Sequence, residues 1–208
     1  MRRLFLATVA FLLPIVLWPD RAAEGEQEGQ PSSSLLDKPL KDFKLRDLMK
    51  DAETWISLSD FKEKKAVVLI FTSYNCDACA DYENRMLKLI QDFAGQEVAF
   101  LGVRSSAEDD AAGMRKYAES KGFTIPFLED TKNVLAAYLD VLVTPTFYVI
   151  DKQGVLRYRG ACDESLKEAR AHKTFVHDAL KAVLEGKEVA VKTTRTIGCH
   201  MPRVDPGK

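Results

Sequence analysis

The sequence predicts an α/β fold, in which a central mixed sheet carries helices on both of its faces. Three observations support this fold class. A wholly apolar run at 66–71, within the predicted strand 66–72, resembles a buried strand, a segment with helical periodicity follows it, and further strand-like and helix-like segments alternate after that. The 208 residues are enough for one well-buried core and too few for two comfortable domains.

The first half of the chain begins with a predicted β-hairpin within 42–57, whose two apolar arms flank the polar stretch 50–53. A short helical turn at 58–62 leads to the strand at 66–72. Apolar residues then recur at three- and four-residue steps from Cys79 to Phe93, which indicates a helix.

The second half adds a buried strand and a helix as an inserted β-α unit, then a short strand and helix, an antiparallel strand pair and a last helix. The segments predicted are strand 98–103, helix 107–121 with Ser106 and Asp109 as a capping pair, strand 125–128, helix 131–139, strands 146–150 and 155–158, and a helix ending at Gly186.

The first 23 residues have the pattern of an export signal. Arg2 and Arg3 precede an apolar stretch at 4–18, and small residues end at Ala23. At ~1.5 Å per residue this stretch is shorter than the ~30 Å hydrocarbon core, which favours cleavage over an uncleaved membrane anchor. Export permits disulfides, so each of the four cysteines has potential partners.

The rest of the chain is predicted to comprise a polar linker at 24–37, one domain at 38–186 and a C-terminal tail at 187–208.

Loss of residues 1–23 removes three arginines and one aspartate, which changes the formal charge from −1 to −3. The charges are interspersed, without a basic stripe, so the pattern argues against binding to nucleic acid or to a membrane surface.

The most informative motif is Cys76-Asp77-Ala78-Cys79, which lies between the apolar strand and the following helix. Free N–H groups and the helix dipole at a helix N-terminus stabilise a thiolate, so Cys76 is the predicted nucleophile and Cys79 the resolving thiol. We expect Cys76 to be exposed and the fastest thiol to be alkylated. The carboxylate of Asp77 should oppose its ionisation, giving a more ordinary thiol. The alternatives are an inert disulfide and a metal site.

Pro145 is the second candidate. It begins the strand at 146–150, a common position for proline, and a cis bond after Thr144 would turn the backbone of 143–144 towards the dithiol. The backbone groups of Thr144 and Pro145 would then bind an extended substrate peptide.

The chain resembles the thioredoxin-like redoxins related to the alkyl-hydroperoxide-reductase/thiol-specific-antioxidant proteins. The resemblance covers roughly 38–200 and rests on the hairpin, the CxxC helix, the inserted unit, and four short motifs: Tyr82-Glu83-x-Arg85-Met86, Thr144-Pro145, Tyr158-Arg159-Gly160 and Thr194-Arg195-Thr196-Ile197-Gly198-Cys199. It implies a thioredoxin-like fold, thiol–disulfide or peroxide chemistry, and the attacking, resolving and cis-proline places for Cys76, Cys79 and Pro145.

Two departures from the family pattern bear on the chemistry. The strand at 66–72 carries no buried acid that could move a proton to Cys79. A peroxidatic site places proline seven residues before the cysteine, and here that position is Leu69, although Ser73 fits the pattern. Leu69 therefore argues against an efficient peroxidase.

Three further residues have open roles. Glu83 lies four residues after Cys79, on the same helical face, as a proton shuttle or as one partner of a salt bridge. Cys199 could act as an additional resolving thiol, remain free, or form a disulfide with Cys162 that holds the tail in place.

The leading hypothesis is an exported thiol–disulfide oxidoreductase. It would act on disulfide-containing protein substrates, depend on a thiol electron donor, and need no cofactor or metal. The alternatives are a thiol peroxidase that uses Cys76 and a metal-binding or metallochaperone module that combines Cys76 and Cys79 with Cys199 or His200.

Overall fold

A seven-stranded mixed sheet forms the centre of the molecule. The computed structural model describes residues 35–51 and 53–204. Nine strands occur in this part of the chain: β1 (Lys44–Asp47), β2 (Trp55–Ser57), β3 (Ala66–Phe71), β4 (Val98–Arg104), β5 (Phe127–Glu129), β6 (Val143–Thr144), β7 (Thr146–Asp151), β8 (Leu156–Gly160) and β9 (Cys199–His200). The α-helices are α1 (Asp77–Asp92), α2 (Ala111–Lys121), α3 (Val134–Tyr138) and α4 (Phe175–Leu184).

The sheet has the order β2-β1-β5-β4-β3-β7-β8, with β3 parallel to β4 and antiparallel to β7. The predicted hairpin is present, because β1 and β2 pair in antiparallel register at one edge. The inserted unit, β4 with α2, lies between α1 and β5. The predicted fold class is therefore confirmed.

Both faces of the sheet are covered because the side chains of a strand point alternately to opposite sides. Val68 and Ile70 of β3 enter one core, whereas Leu69 and Phe71 enter the other. Helices α1, α2 and α4 pack on the first face, and α3 packs on the second. The dithiol follows β3, so it lies at the carboxyl end of a central strand, where open α/β sheets place their active sites.

The start of α2 differs from the prediction. The helix begins at Ala111, four residues later than expected, because the carboxylate of Asp110 accepts a hydrogen bond from the N–H of Gly113 (2.8 Å). Ser106 and Asp109 do not cap α2. The Asp109 carboxylate instead accepts a hydrogen bond from the Ser73 hydroxyl, beside the dithiol.

The C-terminal segment, predicted only as a tail at 187–208, is docked on the domain within residues 187–204. The Thr194 hydroxyl contacts that of Tyr158 at 2.6 Å, and Met201 is buried. Between these anchors, β9 pairs with β6, with Val143 opposite His200 and Thr144 opposite Cys199. The segment therefore passes directly over the site.

Residues 1–34 lie outside the described part of the chain, and so do the predicted signal and most of the predicted linker. At the end of the linker, Leu35 and Leu36 pack on the second core. Within residues 35–51 and 53–204, no helix is both long and apolar enough to span a bilayer.

Candidate active site

Cys76 and Cys79 occupy the N-terminus of α1. Cys76 is the N-cap residue, with extended backbone, and its sulfur accepts a hydrogen bond from the N–H of Cys79 at 3.2 Å. Helix N-terminal N–H groups have no partner within the helix, so a sulfur in the N-cap position satisfies one of them and is stabilised as an anion.

The loop before Pro145 faces this helix start. The Thr144–Pro145 peptide bond is cis, and the Cys76 sulfur lies 3.2 Å from the Thr144 carbonyl oxygen, to which it donates a hydrogen bond when it is protonated. Thr144 itself is buried. The structure therefore brings together the dithiol and both residues that the sequence singled out for substrate binding.

A third thiol belongs to the same cluster. Cys199 packs against Cys76, Ala78 and Cys79, and its thiol is a hydrogen-bonding neighbour of Cys76. The backbone N–H of Ala78 also points to the Cys199 sulfur. The backbone N–H groups of two consecutive residues in the first helical turn therefore act on different thiols: Ala78 on Cys199 and Cys79 on Cys76.

The pKa of Cys76 is lowered to about 5. The largest cause is a hydrogen bond from the Cys79 thiol, and further hydrogen bonds come from Cys199, the Thr144 side chain and the Cys79 N–H, while burial opposes them. We had expected Asp77 to leave Cys76 an ordinary thiol. That expectation is wrong, because the neighbouring donors outweigh the exposed carboxylate.

The other two thiols behave in the opposite way. Burial, followed by the hydrogen bond given to Cys76 and then the negative charge on Cys76, raises the pKa of Cys79 far above its ordinary value. Burial and the hydrogen bond given to Cys76 also raise the pKa of Cys199. The three thiols therefore hold a single negative charge at neutral pH, and it resides on Cys76.

The exposure of Cys76 differs from the prediction. Its relative exposure is only 4%, whereas Cys199 is partly exposed. The contacts that cover it are the loop before Pro145 and β9. The sequence placed Cys76 correctly at the helix start, but nothing local in the sequence indicated that the distant tail would cover it.

Cys162 lies apart from this cluster. It is part of the core under α1 and α4, and burial raises its pKa to about 12. Cys162 and Cys199 are both free thiols, so the disulfide considered between them is not present. The tail is held instead by backbone pairing and by the Thr194 and Met201 contacts.

Glu83 forms a salt bridge with Lys121, at the end of α2, with 2.9 Å between the charged atoms. Of the two roles considered for Glu83, the structure therefore shows the salt bridge, which links α1 to α2. The Tyr117 hydroxyl lies nearby, and burial, followed by the Glu83 charge, raises its pKa.

The sequence did not reveal a polar cluster before the dithiol. The Ser73 hydroxyl donates to the Asp109 carboxylate (2.9 Å), the Asn75 side chain donates to the same oxygen (3.1 Å), and burial raises the Asp109 pKa. A buried acid is therefore present beside Ser73 and Asn75, which precede the dithiol, but it comes from the loop after β4 rather than from β3. From the sequence, the position of Asp109 just before α2 predicts only a helix cap.

A buried ion pair also supports the site. Arg85 of α1 contacts the Asp163 carboxylate at 2.6 Å, lies over the Tyr82 ring, and donates to the backbone carbonyls of Ser165 and Leu166. Leu166 packs against the cysteine cluster. Arg85 was noted in the sequence only as part of a family motif.

No group of three His, Cys, Asp or Glu side chains in the part of the chain that the structure describes is arranged to hold a metal ion. This arrangement can support thiol exchange, because a stabilised thiolate lies beside two protonated thiols and a backbone strand.

Comparison with known proteins agrees with this geometry. The model of the AhpC/TSA family matches residues 36–159. A thioredoxin-like protein of Bacillus subtilis is 34% identical over 64% of this chain and 71% of its own length. The thiol:disulfide interchange protein DsbE of Yersinia pestis is 30% identical over 77% of this chain and 84% of its own.

Among solved structures, an uncharacterized conserved protein from Geobacillus kaustophilus superposes with a TM-score of 0.74 and 29% identity, covering 82% of this chain and 93% of that one. A family match over more than half of the chain, with relatives that align over most of their length, decides the classification. The chain belongs to the AhpC/TSA family of thioredoxin-like proteins.

Proposed function

We propose that the protein is an exported thiol–disulfide oxidoreductase that reduces or exchanges disulfides through the Cys76–Cys79 dithiol. The oxidoreductase class follows from the family and from relatives named as thioredoxin-like and thiol:disulfide interchange proteins. The observation that supports these particular residues is the charge distribution, with a stabilised thiolate on Cys76 and a protonated thiol on Cys79.

In the proposed reaction, the Cys76 thiolate attacks one sulfur of a substrate disulfide. A Cys76–substrate disulfide forms, and the other substrate sulfur leaves as a thiolate that takes up a proton. Cys79 then loses its proton and attacks Cys76, which releases the second substrate thiol. The substrate disulfide gains two electrons, and the dithiol becomes a disulfide that an external thiol donor must reduce.

Disulfide-containing proteins are the proposed substrates. An extended peptide that displaces β9 can pair with the β6 backbone beside Cys76 through main-chain hydrogen bonds. Export is supported by the positively charged and apolar pattern of residues 1–23 and places the protein where disulfides persist.

The test is reduction of insulin disulfides with dithiothreitol as the electron donor. We expect the wild type to accelerate precipitation of the insulin chains, and Cys76→Ser to abolish that acceleration. Cys162→Ser is the matched control, because Cys162 lies in the core away from the cluster, and it should retain the wild-type rate. A wild-type rate from Cys76→Ser would refute the assignment.

A thiol peroxidase is the other chemistry known for this family. The Ser73 hydroxyl is already bonded to Asp109, and the largest influences on Cys76 are thiols rather than a cationic side chain. Both observations favour disulfide exchange. Consumption of hydrogen peroxide by the wild type above the rate of a free thiol, abolished in Cys76→Ser, would favour peroxidase chemistry instead.

A further inference from the structure

The backbone edge proposed for substrate is already occupied by the chain itself. Strand β9 pairs antiparallel with β6, so that Cys199 lies directly opposite Thr144. An extended peptide bound to this edge would make the same kind of main-chain pairing. The position of Cys199 therefore corresponds to that of a sulfur on a bound substrate.

Strand β9 can lie this close to Thr144 of β6 only because residue 198 is glycine. A Cβ atom at this position would collide with the carbonyl oxygen of Thr144, so only glycine permits the contact. On either side, the strand is held by backbone hydrogen bonds, from Thr194 N–H to Arg159 (3.2 Å) and from Met201 N–H to Leu142 (2.8 Å). These contacts fix Cys199 beside Cys76 rather than leaving it on a free end.

Cys199 also has the access and the local environment for exchange. It is the more exposed of the two thiols that flank Cys76, since Cys79 is fully buried. The Ala78 N–H at the start of α1 acts to lower the pKa of Cys199, although burial raises that pKa overall, and so favours the anion formed when Cys199 loses a proton.

We propose that Cys199 is a third redox-active thiol, which attacks Cys76 and forms a Cys76–Cys199 disulfide as an alternative to Cys76–Cys79. The proposal deepens the proposed function and rests on it, because it requires Cys76 as the nucleophile. Cys199 is then a catalytic residue, and β9 acts as a substrate-like strand within the same chain.

The step balances without any further reagent. When Cys76 is joined to a substrate sulfur, the Cys199 thiolate attacks the Cys76 sulfur and the new S–S bond forms. The substrate sulfur leaves with the electron pair and takes up the proton that Cys199 gave up. Cys76 and Cys199 are oxidised by two electrons in total, and the substrate disulfide is reduced by two.

The unequal pKa values of Cys76 and Cys199 also favour the reverse reaction, in which a donor thiol reduces the Cys76–Cys199 disulfide. In a Cys76–Cys199 disulfide, an incoming donor thiolate attacks the more exposed sulfur, Cys199, and Cys76 leaves. A thiol of low pKa leaves faster than one of high pKa, so this attack returns the Cys76 thiolate and leaves the donor joined to Cys199. A second donor thiolate then attacks the donor sulfur, which forms the oxidised donor disulfide and releases Cys199, which takes up a proton. The partly exposed Cys199 thus gives a donor access to a dithiol that is otherwise covered.

The test uses oxidised glutathione and the Cys79→Ser variant, which lacks the buried resolving thiol. Cys76 should release one equivalent of glutathione, and Cys199 should then release a second and leave a Cys76–Cys199 disulfide, identified by mass mapping. With Cys79 and Cys199 both changed to serine, the second release should be lost and glutathione should remain on Cys76. Cys79→Ser with Cys162→Ser is the matched control and should release both equivalents.

The outcomes separate the two proposals. Release of one equivalent with a lasting adduct on Cys76 in Cys79→Ser would overturn the role of Cys199 while leaving Cys76 as the nucleophile. Absence of any release dependent on Cys76 would overturn both. A disulfide between Cys76 and Cys162 would also refute the proposal, since it would show that the tail does not hold its observed position.

Discussion

At the scale of single residues, the site depends on the unequal ionisation of three neighbouring thiols. Cys76 is the acceptor of the hydrogen bonds from Cys79 and Cys199, and each donor is thereby held in its protonated form. The CxxC spacing and the helix start allowed the sequence to predict the first two residues. For the third, Cys199, the sequence left several roles open, because its contact with Cys76 depends on the path of the whole tail.

The depressed pKa predicts how alkylation of Cys76 depends on pH. The thiolate is the reactive form, so the rate should fall as the pH decreases through about 5 and should change little between there and neutrality. Cys199→Ala removes a hydrogen bond that lowers this pKa, so the midpoint should move upwards. Iodoacetamide labelling of Cys76 against pH, read by mass mapping, measures both midpoints.

A midpoint near the ordinary value for cysteine in the wild type would contradict the stabilised thiolate. Cys162→Ser is the control, because the causes acting on Cys76 do not include Cys162, and its profile should match the wild type.

At the scale of elements, the C-terminal segment determines access to the dithiol. Strand β9 is only two residues long, and its polar, aperiodic sequence gave no strand signal. Its conformation comes from pairing with β6 and from the anchors on either side of it. The partners of these anchors, Tyr158 for Thr194 and Leu142 for Met201, are distant in sequence. Helix α1 was predictable because its apolar face repeats over four turns, whereas α2 begins late because Asp110 is a better placed cap than Ser106.

Gly198→Ala should weaken the docking of β9. The added methyl group collides with the Thr144 carbonyl, which should lower the free energy of unfolding by about 1–3 kcal/mol and uncover Cys76. We expect faster alkylation of Cys76 at neutral pH, measured together with a urea denaturation curve.

Gly186→Ala is the matched control in the same region. Gly186 has a φ of 66° but open space around its Cα atom, so alanine there strains the backbone by about 1–2 kcal/mol without reaching the site. It should leave the alkylation rate of Cys76 unchanged. An equal increase in both variants would show that general loosening, rather than displacement of β9, exposes the thiol.

At the scale of the whole molecule, the arrangement of the sheet was the most predictable feature. Strand β3 is apolar throughout and buried on both faces, and β7 and β8 are joined by a turn of recognisable composition. The buried Arg85–Asp163 pair was not predictable, because its partners lie on α1 and on the loop after β8 and meet only when α1 packs beside that loop. This pair joins the loop to the active-site helix.

Arg85→Met should destabilise the protein by about 3–5 kcal/mol, because Asp163 would remain buried without its charged partner. It should also release Leu166 from the cysteine cluster and lower the rate of insulin reduction. Urea denaturation and the insulin assay measure the two effects.

Lys88→Met, which breaks an exposed salt bridge with Asp92 on the same helix, is the control. It should change the free energy of unfolding and the rate of insulin reduction far less. Similar losses in the two variants would show that the buried pair has no special role.

The position of β9 along the chain also has a consequence for biosynthesis. A ribosome completes α1 and the loop before Pro145 well before it reaches Cys199, and a chain folds from its N-terminal part onwards as it emerges. The nascent protein therefore carries an uncovered, reactive dithiol until its final segment arrives. Until β9 pairs with β6, a disulfide can reach Cys76 without competition from Cys199, so we expect a chain in which β9 is not yet docked to react with a broader range of disulfides than the fully folded protein does.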